Sequence, residues 1–298
     1  MDISLVDART EMMSAVDGLF DRFRTGTLKP EDYADITELT VDANPEGADY
    51  WLASKEIYEI DVLPFRHLND TESVILDVGA HLGYTAATIR NLPVRNHIHS
   101  FEPFIVCHPV LDRLAAIDPK FTYSRLACSD HSGTVDAYNL VVNGNLIGGT
   151  TTIRGATFAS WFSTYLSGRV GEQMIPLVDR YEARVLRADF ETVRLDDMLL
   201  PNAPWRHHGR RIVGLKIDVE GHELSAVAGA QRILREHQPL VMIEITDFAS
   251  MKEAMADVGY RPFERVEDKI RPVQNIHYNT YYVHDDMLEH YRRIGLIA

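Results

Sequence analysis

The chain is poor in cysteine, short of positive charge and without any long apolar run, and each shortage excludes something. Two cysteines, Cys107 and Cys128, occur in 298 residues. Without metal-like spacing they supply neither a disulfide framework nor a zinc site, so a reducing cytoplasm is the expected compartment. Lysine and arginine number 30 against 44 acidic residues, a formal net charge of −14. That balance argues against nucleic acid as a partner, because binding a phosphate backbone needs clustered cations. The basic run Arg206 to Arg211, with His207 and His208 inside it, is short and isolated and reads as a solvated loop. No stretch approaches the roughly 20 apolar residues of a membrane span. The amino terminus, with Asp2 and Asp7, lacks the basic and apolar regions of a secretory signal. The length suits one large α/β domain with additions, and no repeat or low-complexity segment is evident.

What is present is concentrated at strand ends. Val74-Ile-Leu-Asp-Val-Gly-Ala-His-Leu-Gly-Tyr84 runs from an apolar strand into an acidic residue and a turn bracketed by Gly79 and Gly83. A strand buried on both faces reads this way in a parallel sheet, and helical spacing resumes at Tyr84, Ala87 and Ile89. A dinucleotide turn would want G-x-G-x-x-G, whose middle glycine lets a pyrophosphate approach, and His81 stands at that place. S-adenosylmethionine carries no phosphate, and Asp77-Val-Gly-Ala-His-Leu-Gly83 fits the looser D-x-G-x-x-x-G. The next strand, Ile98-His-Ser-Phe-Glu102, ends in a carboxylate before Pro103, about 20 residues beyond the turn, where nucleoside folds bind ribose hydroxyls.

A second strand bursts into charge at its carboxyl end: Ile212-Val-Gly-Leu-Lys-Ile-Asp-Val-Glu-Gly-His-Glu223, followed by a helix carrying Leu224, Val227, Ala228 and Ile233. Val193-Arg-Leu-Asp-Asp-Met-Leu199 lies upstream and Gln238-Pro-Leu-Val-Met-Ile-Glu-Ile245 downstream. Together with the glycine turn and Phe101-Glu-Pro103, these resemble the FkbM family of class I S-adenosylmethionine-dependent methyltransferases over roughly Ser73 to Ile245. The resemblance implies a Rossmann-like α/β fold: a seven-stranded, mostly parallel sheet closed by a C-terminal antiparallel hairpin. Strands are expected near 74–78, 97–102, 121–127, 212–218, 239–245, 261–267 and 277–284, the last two antiparallel because their connection is too short for a crossover helix.

Around this methyltransferase domain, 71–298, two further regions are expected. Residues 1–70 form a helical N-terminal section in which Met12, Val16, Leu19, Phe20 and Phe23 line one helix face. Tyr50, Trp51 and Tyr58 are candidates to reach the cofactor mouth, which spacing alone does not decide. An insert at 132–192 follows the third strand. It carries a hairpin signal at Asn143-Gly144, the pair Gly148-Gly149 and an aromatic stripe of Phe158, Trp161, Phe162 and Tyr165. That stripe is read as core, a homodimer contact or a lid over the acceptor.

The resemblance implies S-adenosylmethionine as cofactor and a small-molecule or glycan acceptor. Cofactor contacts are expected at Asp77, Gly79, Ala80, His81, Gly83 and Tyr84, with Glu102 and Pro103 at the ribose and Leu126 to Asp130, including Ala127, at the adenine. Asp130 is equally a turn former before His131-Ser-Gly133. Asp218 belongs to both the cofactor and the catalytic sets. Acceptor-side candidates are Asp218, Glu220, His222 and Glu244; His222 titrates nearest neutrality and otherwise caps or packs its helix. Lys216 shares a strand face with Asp218 and is placed to pair with a carboxylate. The carboxylate cluster is also a minority candidate for a divalent cation, though no metal is required. The function expected is O-methylation of a sugar, glycolipid or polyketide-like hydroxyl. N-methylation of an amine or amide, and a non-catalytic cofactor-binding partner protein, stand as alternatives; nucleotide-sugar dehydrogenation is weakened by the missing glycine.

Overall fold

The computed structural model describes residues 5–39, 46–146, 181–200, 209–245, 247–273 and 278–298. The aromatic stripe Phe158 to Tyr165, the pair Gly148-Gly149 and Arg206 to His208 lie outside the described residues. Two compact units divide the chain: Met1–Asp42 with Val135–Asp189, and Ala43–Thr134 with Phe190–Ala298. Residues 43–70, expected with the N-terminal section, therefore belong to the unit that carries the large sheet.

That sheet contains β1 (Val74–Val78), β2 (His97–Phe101), β3 (Phe121–Ser124), β4 (Ile212–Ile217), β5 (Leu240–Glu244), β6 (Tyr260–Val266), β7 (Lys269–Pro272) and β8 (Asn279–His284). Their order is β7-β6-β8-β5-β4-β1-β2-β3. The five strands from β5 to β3 are parallel, and β8, β6 and β7 pair antiparallel at the other edge. All five residues of β1 are buried, as the apolar run requires, including Asp77. The chain leaves β1 outward to β2 and β3 and returns beside it as β4, so the strand order reverses between β1 and β4. Clefts at such reversals, outside the carboxyl ends, are where ligands bind open α/β sheets.

Two strand expectations need correction. The sheet has eight strands where seven were expected, because the chain turns back at Glu267, whose φ is +58°, and adds β7 at the edge. Only Ile270 of β7 is buried, so no alternating apolar signal announced it, and Pro272 is tolerated there because an edge strand does not need every donor. The third strand ends at Ser124 instead of running to 127; Ala127–Cys128 pair instead with Thr192 and Val193 of the strand Ala183–Val193.

Helices of this unit are α2 (Glu46–Ser54), α3 (Tyr84–Asn91), α4 (His108–Ile117), α5 (Glu223–Ala228), α6 (Gln231–His237), α7 (Phe248–Ala256) and α8 (Leu288–Arg293). Asp247 caps α7 through the Ser250 amide. Asp196, from the Leu195–Leu199 turn, accepts the Arg232 and Ile233 amides at the start of α6, satisfying donors that a helix start otherwise leaves open. A continuous apolar core joins β1, β4 and β5 to α5, α6 and α7 through Leu76, Leu215, Ile243, Val227, Ile233 and Met251.

In the other unit, α1 (Leu5–Thr25) buries Met12, Val16, Leu19 and Phe20 against Leu140, Val142 and Val185, and Phe23 meets Tyr138 edge-on at 5.5 Å. Asn143 and Gly144 both take positive φ and join Gly133–Val142 to Asn145–Leu146 as an antiparallel pair.

Candidate active site

The glycine turn is held from three sides. The amides of Gly79 and Ala80 both donate to the Phe101 carbonyl, at 3.0 and 3.1 Å, tying the turn to the end of β2. Gly79 has φ +82°, and a Cβ there would stand 1.7 Å from the Asp218 carbonyl oxygen, so β4's exit presses directly on the turn. His81 sits at φ +48° and donates its amide to Glu102 Oε2 at 2.8 Å. Gly83, at φ +86°, opens α3, and a Cβ on it would meet Leu114 Cδ1 at 2.4 Å. Tyr84 is the first residue of α3, its ring 6.4 Å from the His81 imidazole.

Glu102 is 7% exposed and braces this turn from beneath. Its Oε1 takes the Phe104 amide at 2.8 Å across Pro103, so Pro103 shapes a tight bend around the carboxyl. Burial pushes Glu102 up to about 7, against the two amide hydrogen bonds that favour its ionised form. Each carboxyl oxygen keeps a second lone pair with which to accept a hydroxyl.

Beside the turn lies a buried ionic network. Lys216, 2% exposed, places Nζ 3.2 Å from Asp218 Oδ2, 3.6 Å from Asp77 Oδ1 and 3.2 Å from the Gly79 carbonyl oxygen. Burial alone would lower its pKa, but Asp218 and Asp77 raise it and keep the ammonium charged. Ser100 Oγ donates to Asp77 Oδ2 at 3.0 Å, and burial raises the Asp77 pKa against the pull of Lys216. The Cα partners Asp77 and Lys216 sit opposite one another on β1 and β4, which is why these two side chains meet.

At the end of β4, Asp218 hydrogen-bonds Glu244 from the end of β5. Lys216 and that bond hold Asp218 below the usual carboxylate range despite burial. Burial, followed by the Asp218 contact, pushes Glu244 up to about 9. At neutral pH Asp218 is ionised and Glu244 carries the proton between them. Glu220, in the left-handed region at φ +51°, brings a third carboxylate in, and an oxygen from each of the three lies within 4.8 Å of the others. Such a trio could hold a divalent cation in place of the shared proton.

His222 precedes α5 and its Nε2 lies 3.0 Å from Ser129 Oγ, which donates to Asp130 Oδ1 at 3.1 Å. Asp130 also meets His131 Nδ1 at 2.6 Å and is exposed, in keeping with a turn former. Ala127 is buried in its strand pair.

The structure adds residues that no motif marked. Glu59 lies just before a 3-10 turn, Ile60–Leu68, and accepts the Thr85 hydroxyl of α3; the amides of Tyr58 and Glu59 both donate to Thr88 Oγ1 at 3.1 Å. The Glu59 charge acts on both Asp77 and Lys216. Trp51 packs on Tyr84 at 4.6 Å and on Tyr58 at 6.2 Å, which brings two of the three aromatics singled out in 50–58 to the glycine turn; Tyr50 stays exposed. Trp51 and Tyr58 are the signal the sequence carries for this segment; Glu59 carries none, because it is brought in only by the Thr85 hydroxyl of α3.

No curated protein matches the chain. Among solved structures it is similar to the methyltransferase FkbM of Methylobacillus flagellatus KT, at 14% identity and TM-score 0.44, over 91% of this chain and 58% of that one. It is also similar to the precorrin-6y C5,15-methyltransferase of Geobacter metallireducens GS-15, at 11% identity and TM-score 0.33, over 86% and 94% of the two chains. Both likenesses are too distant to bear on the site, and the chain spans little more than half of the first protein. Residues 77–283 match the methyltransferase FkbM domain, a stretch that starts at Asp77 and takes in Glu102, Lys216, Asp218 and Glu244, and by that match the chain belongs to the FkbM methyltransferase family.

Proposed function

We propose that the protein is an S-adenosylmethionine-dependent O-methyltransferase acting on a hydroxyl of a sugar, glycolipid or polyketide-like acceptor. The observation that carries this reading is the charge of the site: with Glu244 protonated, Asp77, Glu59, Asp218 and Glu220 still gather near one ammonium, Lys216, that is already engaged by two of them. A pyrophosphate would be repelled there, whereas a sulfonium and an ammonium are attracted. The donor set also suits the group: a left-handed glycine turn, and a buried carboxyl with spare lone pairs for ribose hydroxyls.

In this reading the turn from Gly79 to Tyr84 holds the methionine portion, Glu102 the ribose, and Leu126–Asp130 the adenine. When bound, the cofactor supplies a methyl group already activated on sulfur. The chain's part is alignment and removal of one proton as the oxygen–carbon bond forms and the sulfur–carbon bond breaks. We assign the removal of that proton to Asp218, which is ionised and lies against the Gly79 turn, rather than to His222, whose Nε2 faces Ser129 in the segment given to the adenine. The carboxylate-rich surroundings also favour a hydroxyl over an amine acceptor, because they would keep an amine protonated and non-nucleophilic. No helix among the described residues is long and apolar enough to cross a membrane. A cytoplasmic location and a homodimer belong to the same proposal, the second checked by light scattering.

Calorimetric titration with S-adenosylmethionine, S-adenosylhomocysteine and NAD, for wild type and Glu102→Ala, tests the reading. Adenosyl binding that collapses in the variant supports it; NAD binding, or none, overturns it.

A further inference from the structure

Residues 58–61 are pinned at both ends. Toward α3, Glu59 Oε2 accepts the Thr85 hydroxyl, the Tyr58 and Glu59 amides donate to Thr88 Oγ1 at 3.1 Å, and the Tyr58 ring lies 5.9 Å from that of Tyr84. Toward the antiparallel edge, Asp61 Oδ1 pairs with Arg265 at 2.9 Å, its Oδ2 accepts Asn279 Nδ2 at 2.9 Å, and its carbonyl oxygen accepts the Tyr281 hydroxyl. The helix α3 follows β1, and Asn279 of β8 is the Cα partner of Glu244 on β5. The segment therefore reaches from β1's helix to β8, past the strands that carry Asp77 and Lys216. Glu59 enters their network, and its charge acts on both.

That network is short of hydrogen-bond donors. Lys216 Nζ serves Asp218 and the Gly79 carbonyl oxygen at 3.2 Å each, and at 3.6 Å it is too far to hydrogen-bond Asp77 Oδ1. That oxygen, on a side chain with no exposure, takes no hydrogen bond among the described residues, and neither does Glu59 Oε1. Asp77 is sealed while Glu59 is half-buried, so the carboxylate open to a ligand is Glu59. We infer that Glu59 binds the α-ammonium of the cofactor's methionyl portion and makes the site selective for it. The inference rests on the methyltransferase reading and adds a contact from outside the stretch 77–283 that matches the family. Thr85 stands two residues beyond Gly83, which sets the carboxylate against the turn given to the methionyl portion. An ammonium there gains a charge-assisted hydrogen bond and offsets the surplus of carboxylates over Lys216.

The test is calorimetry on the full chain with three ligands: S-adenosylhomocysteine, its analogue lacking the α-amino group, and 5′-methylthioadenosine, which lacks the whole amino-acid portion. Wild type should bind S-adenosylhomocysteine about tenfold or more tighter than the deamino analogue. Glu59→Gln, which keeps an oxygen for the Thr85 hydroxyl, should reduce that preference to about twofold or less and leave 5′-methylthioadenosine affinity unchanged. A wild type that binds S-adenosylhomocysteine and the deamino analogue equally overturns the assignment without recourse to any variant. So does a preference that survives Glu59→Gln, or a loss that falls equally on 5′-methylthioadenosine, the mark of a residue that only braces α3. In each of these cases wild type still binds S-adenosylhomocysteine, and the methyltransferase reading stands. Wild type that binds neither S-adenosylhomocysteine nor 5′-methylthioadenosine removes that reading together with the inference.

Discussion

The carbonyl oxygen of Asp218 lies where a side chain on Gly79 would begin, 1.7 Å from the Cβ that the glycine lacks. The exit of β4 and the turn after β1 are thus locked against each other by main-chain contact. Gly79→Ala has to separate them while also adopting a φ of +82°. It should cost about 2 kcal/mol or more and abolish S-adenosylhomocysteine binding. Gly83→Ala, whose Cβ meets the side-chain ends of Leu114 and Leu111 and no backbone, should cost less. Urea unfolding of both variants decides, and equal losses would contradict the locked turn.

Removing the cation of the buried network should do more harm than removing the network. Lys216→Met leaves Asp77 and Asp218 as uncompensated buried carboxyls and is expected to lose about 3–5 kcal/mol. Adding Asp77→Asn should return part of that loss. A double variant as unstable as the sum of the singles would show that the two do not interact.

Glu244 gives stability a definite pH trend. Its carboxyl titrates at about 9 in the folded chain against a usual 4.5, so the folded state holds the proton more tightly. Its contribution is complete below about pH 4.5 and is lost as pH rises through about 9. Thermal unfolding from pH 6 to 9 should show a falling Tm for wild type and a flatter profile for Glu244→Gln. Parallel profiles would refute the shared proton.

Cofactor affinity should run the other way with pH. Glu102 titrates at about 7, and ribose hydroxyls donate to its ionised form. S-adenosylhomocysteine should therefore bind about tenfold tighter at pH 8 than at pH 6, with proton release on binding at the lower pH. Glu102→Gln should bind weakly at both. Calorimetry in buffers of different ionisation enthalpy measures the released proton, and a wild-type affinity independent of pH would count against Glu102 at the ribose.

The acid trio separates proton from metal. If Glu244 holds a proton, methyl transfer should be unchanged by EDTA and by added Mg²⁺. Loss in chelator with recovery on Mg²⁺ would place a cation among Asp218, Glu220 and Glu244.

Residues set by their own strand were legible in the sequence. Asp77, Gly79, Gly83, Glu102 and Lys216 stand at strand ends or turns whose local pattern fixes where they point, and the pairing of β1 with β4 brings them together. What the sequence hid depends on which distant segment comes near. Glu59 reaches the site only because Thr85 and Thr88 hold its segment. The proton on Glu244 follows from a contact between the ends of two strands, and His222, attractive as a base on intrinsic pKa, is engaged by Ser129 from 93 residues away. The edge strand β7 escaped because one buried residue makes no period.

Thr88 carries the neighbouring segment on a single hydroxyl oxygen, through two main-chain amides. Tyr58 and Glu59 are fastened to the large sheet's unit by side chains of α3, with no strand pairing to set their register. A substitution at Thr85 or Thr88 would therefore reach the buried ionic network at a distance, by loosening Glu59, without touching Asp77, Lys216 or Asp218.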